Sequence, residues 1–267
     1  MISFNTESNT SLLQQVQNKQ ESILEKLSSG KRINSAADGA AAQQIIDRLT
    51  TQVEGNRQSI SNAFDGVSLT QVAEGGLAGI NEDVNRIREL SVQSGNGLLN
   101  DADRRAIQAE VSQLQDNISQ TIEQTEFAGK SLLSGDGNID FQVGANAGQK
   151  IAVATQDVAA GLSDILNVDL STAQGAEDAL AVADTATEFV GSARADLGAT
   201  QNQFESAARN LTQSDVNVSA ARSRIQDTDF AQAASDNAVA GILSQASIAV
   251  QGIANQQQSQ VLSLLNG

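Results

Sequence analysis

Apolar residues recur along most of this chain at steps of three and four, the spacing that lines one face of a helix. Near the start the stripe is Leu13, Val16, Ile23 and Leu27, with Gln20 as a polar interruption. Near the end it is Val239, Ile242, Ala246, Ala249, Ile253, Gln257, Val261 and Leu264. Both predict amphipathic helices of matching period that can pair antiparallel. Longer examples lie between them. Ile46, Leu49, Val53, Ile60, Ala63 and Val67 run on into Ala73, Leu77, Ile80, Val84 and Ile87 and predict one long helix, weakened locally by Gly75, Gly76 and Gly79. After the turn-like Gly95-Asn96-Gly97, Asn100 or Asp101 can cap a second helix with Ile107, Val111, Leu114, Ile118 and Ile122 on one face. A third runs from Ala179 to Ile225 through Val182, Ala186, Phe189, Ala193, Leu197 and Phe204.

Residues 128 to 172 break this pattern, being rich in Gly and alternating apolar with polar side chains. Ile139, Phe141 and Val143 alternate, as do Ile151 and Val153, and Gly144 to Gln149 reads as their connection. The predicted fold is mainly α, with long antiparallel helices in a coiled-coil-like bundle and one small β-hairpin. Many seam residues are Ala, which bury little surface each, so such helices need several neighbours for stability. The two terminal helices bury too little to be stable alone, and the expectation is that they fold only on association.

Charge adds a division to this picture. Of 32 acids and 16 bases, four of each fall in residues 1–42, and Asp236 is the single charged side chain in residues 231–267. Residues 43–230 therefore carry 27 acids against 12 bases, a net of −15 out of −16. Such a balance leaves no basic surplus for a phosphate backbone and argues against nucleic acid as partner. With no Cys or His, disulfides, thiolate nucleophiles and imidazole chemistry are excluded. The amino terminus lacks a basic start and an apolar run, so no cleaved signal peptide is expected, and no uninterrupted apolar stretch has membrane-spanning length.

Candidate chemistry changes little. Gly129-Lys130-Ser131 ends like a phosphate-binding loop, but Gln124 stands where that motif needs Gly, and Gly129 reads as a helix-ending glycine. Asp136, Asn138 and Asp140 have calcium-loop spacing, yet Phe141 and Ala147 occupy the positions that require Gly and Glu, so they read as a polar turn. The adjacent acids Glu82-Asp83 and Glu177-Asp178 point apart on a helix and read as a solvated face. The residues call for no enzyme activity, no metal and no cofactor.

Several stretches, in order along nearly the whole chain, resemble bacterial flagellin. Leu27-Ser28-Ser29-Gly30-Lys31-Arg32-Ile33-Asn34-Ser35-Ala36-Ala37-Asp38 is similar to the signature near the family's amino terminus. Arg86-Ile87-Arg88-Glu89-Leu90-Ser91-Val92-Gln93-Ser94, Gln108-Ala109-Glu110 and Phe141-Gln142-Val143-Gly144-Ala145-Asn146 follow. The carboxyl end adds Ala221-Arg222-Ser223-Arg224-Ile225-Gln226-Asp227-Thr228-Asp229-Phe230-Ala231 and Val261-Leu262-Ser263-Leu264-Leu265.

The resemblance implies an extracellular structural subunit, exported without a cleaved signal through the flagellar type III apparatus. Its product would be the helical, hollow filament used for swimming. The runner-up is a hook-filament junction protein, a hook-associated protein similar at both ends. Residues 1–42 with 231–267 would form the inner coiled-coil domain, and 43–230 an outer helical bundle with the hairpin. The polymerisation core would be Leu13, Val16, Ile23, Leu27, Val239, Ile242, Ile253, Val261 and Leu264. Partners would be further copies of the chain, an export chaperone, the filament cap and hook-associated proteins, with neither nucleic acid nor membrane among them. Arg86, Leu90 and Glu110 match positions through which relatives contact vertebrate Toll-like receptor 5.

Overall fold

The computed structural model describes residues 3–265, with side chains from Thr10 to Gln260 except Gln258. In chain order its elements are α1 (Ser3–Ser29), α2 (Ala36–Ser94), α3 (Asp101–Gln124), β1 (Glu126–Phe127) and β2 (Lys130–Ser131). They continue as β3 (Ser134–Gln142), β4 (Lys150–Asp157), α4 (Val158–Gly161), α5 (Ser163–Leu166), α6 (Ala173–Gln226) and α7 (Phe230–Leu265). The chain divides into two compact units. A terminal unit takes the residues up to Val53 and from Val216 on, and a central unit takes Glu54–Asp215. These boundaries differ from the expected 42 and 230: residues 43–53 and 216–230 pack with the terminal segments.

In the central unit the predicted stripes become the core. Ala73, Leu77, Ile80, Val84 and Ile87 of α2 are buried against Ile107, Val111, Ile118 and Ile122 of α3 and the Ala-rich face of α6. Ion pairs Arg88–Asp184 at 2.7 Å and Glu74–Arg194 at 3.5 Å show that α6 runs antiparallel to α2. The α2–α3 turn is held from inside. Arg104, buried without a carboxylate, donates to the carbonyls of Ser94 at 3.1 Å, Asn96 at 3.1 Å and Leu99 at 2.8 Å. These carbonyls lie at and just beyond the end of α2, where the i+4 helical donors run out; that of Asn96 also accepts the Leu99 N–H at 3.1 Å. Asn100 caps α3, its side chain accepting from Ala102 and Asp103 while Asp103 accepts from the Asn100 N–H.

The hairpin forms as expected, with Ile139 opposite Val153 and Phe141 opposite Ile151. Its connection from Val143 to Gln149 docks where Asn62 Nδ2 donates to the Gln142 carbonyl at 2.9 Å. Phe141 meets Phe204 edge to face at 5.4 Å. Phe204 is fully buried, and Gly66 is the reason it fits: a Cβ there would lie 2.5 Å from the ring.

Two features of residues 125–172 depart from the expectation of a single hairpin. Gly129 does not end a helix: α3 stops at Gln124, and Ala128 (φ 50°) with Gly129 (φ 75°) forms a two-residue turn joining β1 and β2. Two successive positive φ values give the turn type that matches the twist of a tight hairpin. Asp136, Asn138 and Asp140 lie within β3, not in a turn; Asp136 accepts the Asp157 N–H and Asp140 pairs with Lys150 at 3.2 Å. Among the described residues no cluster of three or more metal-ligating side chains occurs. Beyond β4 the chain is stitched to α3 by amides. Gln115 donates to the Ile165 and Val168 carbonyls at 3.1 Å each, and Gln108 accepts the Leu170 N–H at 2.6 Å.

In the terminal unit α1 and α7 run antiparallel, starting from the Thr228 N–H donated to the Gly30 carbonyl at 3.0 Å. Residues Phe230–Gln257 of α7 are long and apolar enough to cross a membrane, with a mean hydropathy of 1.2. Asp236, Asn237, Ser244, Gln245 and Gln251 interrupt the stretch.

Candidate interaction surfaces

α1 presents to α7 the stripe read from its sequence: Leu13, Val16, Gln20, Ile23 and Leu27 are the less exposed positions, and Ile23 is buried. Between them Leu12 and Leu24 remain about half exposed. α7 answers with a different row. Its sheltered positions are Ala233, Asn237, Ala240, Ser244, Ser247, Gln251 and Ala254, also in steps of four and three. The bulky row expected to pair within the chain faces outward. Val239 is 52% exposed, Ile242 67% and Ile253 58%, and Leu243, Ile248 and Val250 beside them are about half exposed. At 100° per residue the two rows lie roughly 140° apart, on nearly opposite sides of the helix. The side chains of Val261 and Leu264 lie outside the described residues.

The physical reason is packing distance. Small Ala and Ser side chains let α7 approach the bulky α1 stripe closely, whereas two bulky rows would hold the helices apart. The signal was present in the sequence as a second heptad of Ala and Ser, but a rule that seeks the largest apolar side chains selects the other row. Apart from Asp236, the described part of α7 carries no charge. An outward row of this kind is an apolar surface with no partner among the described residues.

The segments flanking α1 and α7 form a joint. Gly30 ends α1 in the left-handed region at φ +69°, the usual way a helix stops. Arg32 then reaches α6, its N–H donating to the Gln226 carbonyl at 2.6 Å and its guanidinium to the Ile225 and Arg224 carbonyls at 2.7 and 3.2 Å. Asp38 accepts the N–H groups of Ser35 and Asn34, and these two bonds, Ser35 first, hold its carboxyl below the usual range. Asn34 Nδ2 donates to Glu25 at 2.7 Å, and Asp229 caps α7 by accepting from Ala231 and Gln232. The Leu27–Asp38 and Ala221–Ala231 motifs are thus two halves of one structure.

On the central unit, Arg86 donates to Glu110 through Nη2 at 2.7 Å and Nε at 3.0 Å, and to Glu89 at 2.9 Å. Glu110 first, then Glu89, raises the arginine's pKa. Arg86 and Glu110 are half exposed and form one surface feature. Leu90 does not belong to it: at 1% exposure it faces the core with Ile87 and Val84, so its side chain presents nothing to a partner. Four residues on from Arg86, it is displaced by 40° around the helix, enough with its apolar side chain to turn it inward.

The chain is similar to known proteins throughout its length. Residues 2–138 match the family described as the bacterial flagellin N-terminal helical region, and 180–265 match the bacterial flagellin C-terminal helical region. It is 40% identical to the flagellin of Bacillus subtilis (strain 168), covering 91% of each chain. It is 38% identical to the flagellar filament 30.7 kDa core protein of Treponema maltophilum, again over 91% of each. Among solved structures, Bacillus cereus flagellin superposes with a TM-score of 0.53 at 26% identity, covering 61% of this chain and 94% of that one. A putative flagellar hook-associated protein from Vibrio parahaemolyticus gives a TM-score of 0.60 over 71% of this chain and all of the other, but at 15% identity it shares only the fold.

Proposed function

The chain belongs to the bacterial flagellin family of structural proteins and is a subunit of the extracellular flagellar filament, and on that footing we propose that the outward row of α7 is its principal polymerisation surface. The observation that carries this is the exposure of Val239, Ile242 and Ile253 on a helix with a single charged residue in its described length. In a polymer that row is covered by further copies of the chain. Leu13, Val16, Ile23 and Leu27 serve assembly indirectly, by holding α7 through its small-residue row. Val261 and Leu264 extend the same expectation toward the carboxyl end.

Within the filament, residues 1–42 and 231–267 form the inner tube and 43–230 the outer layer. The near-neutral ends and the −15 carried by 43–230 support that layering, since charge buried between subunits is costly and charge facing water is not. The chain travels unfolded through the type III apparatus with an export chaperone and is laid down beneath the filament cap, on hook-associated proteins. Arg86 and Glu110, exposed and ion-paired, are the residues through which Toll-like receptor 5 would engage the monomer; Leu90 acts only by shaping the helix beneath them.

Electron microscopy of concentrated monomer after salt addition tests the assembly reading. Long tubes are expected. Short adaptors capped at a few copies would favour the hook-filament junction instead, and globules that never polymerise would overturn both. For the receptor, Arg86→Ala is expected to weaken monomer binding, and unchanged affinity would refute the contact.

A further inference from the structure

The turn between α2 and α3 exposes Asn96 and Gly97 side by side. An asparagine before a glycine can react with its own backbone, because glycine has no side chain to shield the peptide nitrogen that joins the two. Here Asn96 Oδ1 accepts the Leu98 N–H at 3.1 Å, an Asx turn that folds the side chain back along the Gly97 peptide and polarises its amide carbonyl. The peptide group between Asn96 and Gly97 is gripped at its oxygen as well. That carbonyl accepts the Leu99 N–H and Arg104 Nη2, each at 3.1 Å. Arg104 is a buried cation whose hydrogen bonds all go to carbonyls. When the Gly97 nitrogen gives up its proton, resonance passes the negative charge to this same oxygen, where a guanidinium and an N–H already point. The nitrogen itself donates to no acceptor among the described residues. A Cβ built on Gly97 would meet nothing within 4 Å, so nothing blocks the nitrogen from the side chain.

We infer that Asn96 is a self-modifying site, at which the folded chain loses a side-chain amide while Arg104 and the Leu99 N–H stabilise the deprotonated Gly97 peptide. Hydroxide takes the Gly97 proton. The nitrogen then bonds to Asn96 Cγ, the Cγ–Nδ2 bond breaks, and Nδ2 leaves as ammonia with a proton from water, which regenerates the hydroxide. The intermediate is a cyclic imide made of Asn96 Cα, Cβ, Cγ and main-chain carbon closed by the Gly97 nitrogen. Water opens it at Cγ to give aspartate, or at the main-chain carbon to give isoaspartate. One water is consumed and one ammonia released, with no oxidant and no other reactant. Isoaspartate routes the main chain through Cβ and lengthens the turn by one carbon, which takes the following peptide out of register with Arg104. Either product adds a negative charge to the surface of the central unit. The inference is independent of the polymerisation surface proposed above, since every group it uses lies in the α2–α3 turn and the first turn of α3.

The test holds the purified full-length chain at mildly alkaline pH and follows position 96 by peptide mapping with mass spectrometry. Mapping separates it from Asn266-Gly267, the other Asn-Gly pair of the sequence. Conversion of the amide to a carboxylate at position 96 is expected, about two- to tenfold faster than in the same chain unfolded in urea, the factor that one hydrogen bond to the developing charge supplies. Gly97→Ala is the control. Its Cβ has open space and Gly97 lies outside the left-handed region, so the fold is kept. The added methyl shields the nitrogen and should slow the change about tenfold, as about 1.4 kcal/mol on the barrier would. A folded chain that keeps its amide at position 96 would overturn the inference, as would a rate no faster than that of the unfolded chain. A folded-state rate unchanged in Gly97→Ala would mean that water attacks Cγ directly, and would overturn the imide route.

Discussion

Ile242→Ala isolates the outward row of α7 from everything else the helix does. Ile242 is 67% exposed in the single chain, so truncating it removes little that the monomer uses. A surface change of this kind is expected to shift monomer stability by about 0.5 kcal/mol or less. On the proposed polymerisation surface the same side chain would be covered by a second copy. Three methyl or methylene groups are lost, each worth about 0.8 kcal/mol when fully removed from water, or about 2.4 kcal/mol in all. Scaled by the two-thirds of the residue still open to solvent, the loss is about 1.6 kcal/mol per subunit added, about a fifteenfold rise in critical concentration. Sedimentation of a dilution series reads this directly, with thermal unfolding of the monomer as the control. Ala240→Leu is the counter-experiment: Ala240 is 2% exposed on the inward row, and overpacking there should weaken the α1–α7 pair itself by about 1–3 kcal/mol. A critical concentration within twofold of wild type for Ile242→Ala would refute the assignment of the outward row to subunit contact.

Three further outcomes follow from the central unit. Gly66→Ala should destabilise it by about 1–3 kcal/mol, because the new Cβ would lie 2.5 Å from the buried Phe204 ring, whereas Gly75→Ala on the same helix has open space and should stabilise it by about 0.5–1 kcal/mol; urea unfolding compares the two. Arg104→Ala leaves the Ser94 and Leu99 carbonyls of the α2–α3 turn without this donor, and the Asn96 carbonyl with only the Leu99 N–H, and should lower stability by about 3 kcal/mol, seen as a lower urea midpoint with an unchanged slope. Asp83 has its pKa raised, by burial first and then by the neighbouring Glu82. The folded chain thus holds that proton more tightly than the unfolded one. The resulting destabilisation is full above the folded pKa and disappears as pH falls through it toward the ordinary 3.8. Asp83→Asn should accordingly raise the unfolding midpoint near about pH 7 and leave it unchanged near about pH 3, as thermal scans at the two values would show.

What could be read from the sequence depended on where each residue finds its partner. The stripes of α2 and α3 were legible because their neighbours lie in the same chain, and Leu77, Ile80, Val84, Ile107 and Val111 are all buried where the spacing puts them. α7 carries two heptad rows of different bulk, and the rule that larger apolar side chains point inward holds only when the inside belongs to the same molecule. The β1–β2 turn was invisible for another reason: two strands of two residues each leave no alternation to detect. Leu90 was misplaced because the motif that names it is a run of adjacent residues, while a helix distributes such a run around its whole circumference.

The separation of the two rows on α7 has a genetic consequence. Damage to the inward row spoils the pairing of α1 with α7 in the subunit that carries it, and such a subunit never enters a filament. Damage confined to the outward row leaves a well-formed subunit that can still join the end of a growing filament through its intact surfaces and then offers its successor a faulty one. Alleles of the first kind would be recessive. Those of the second would poison a mixed population, shortening filaments in proportion to the fraction of altered chains.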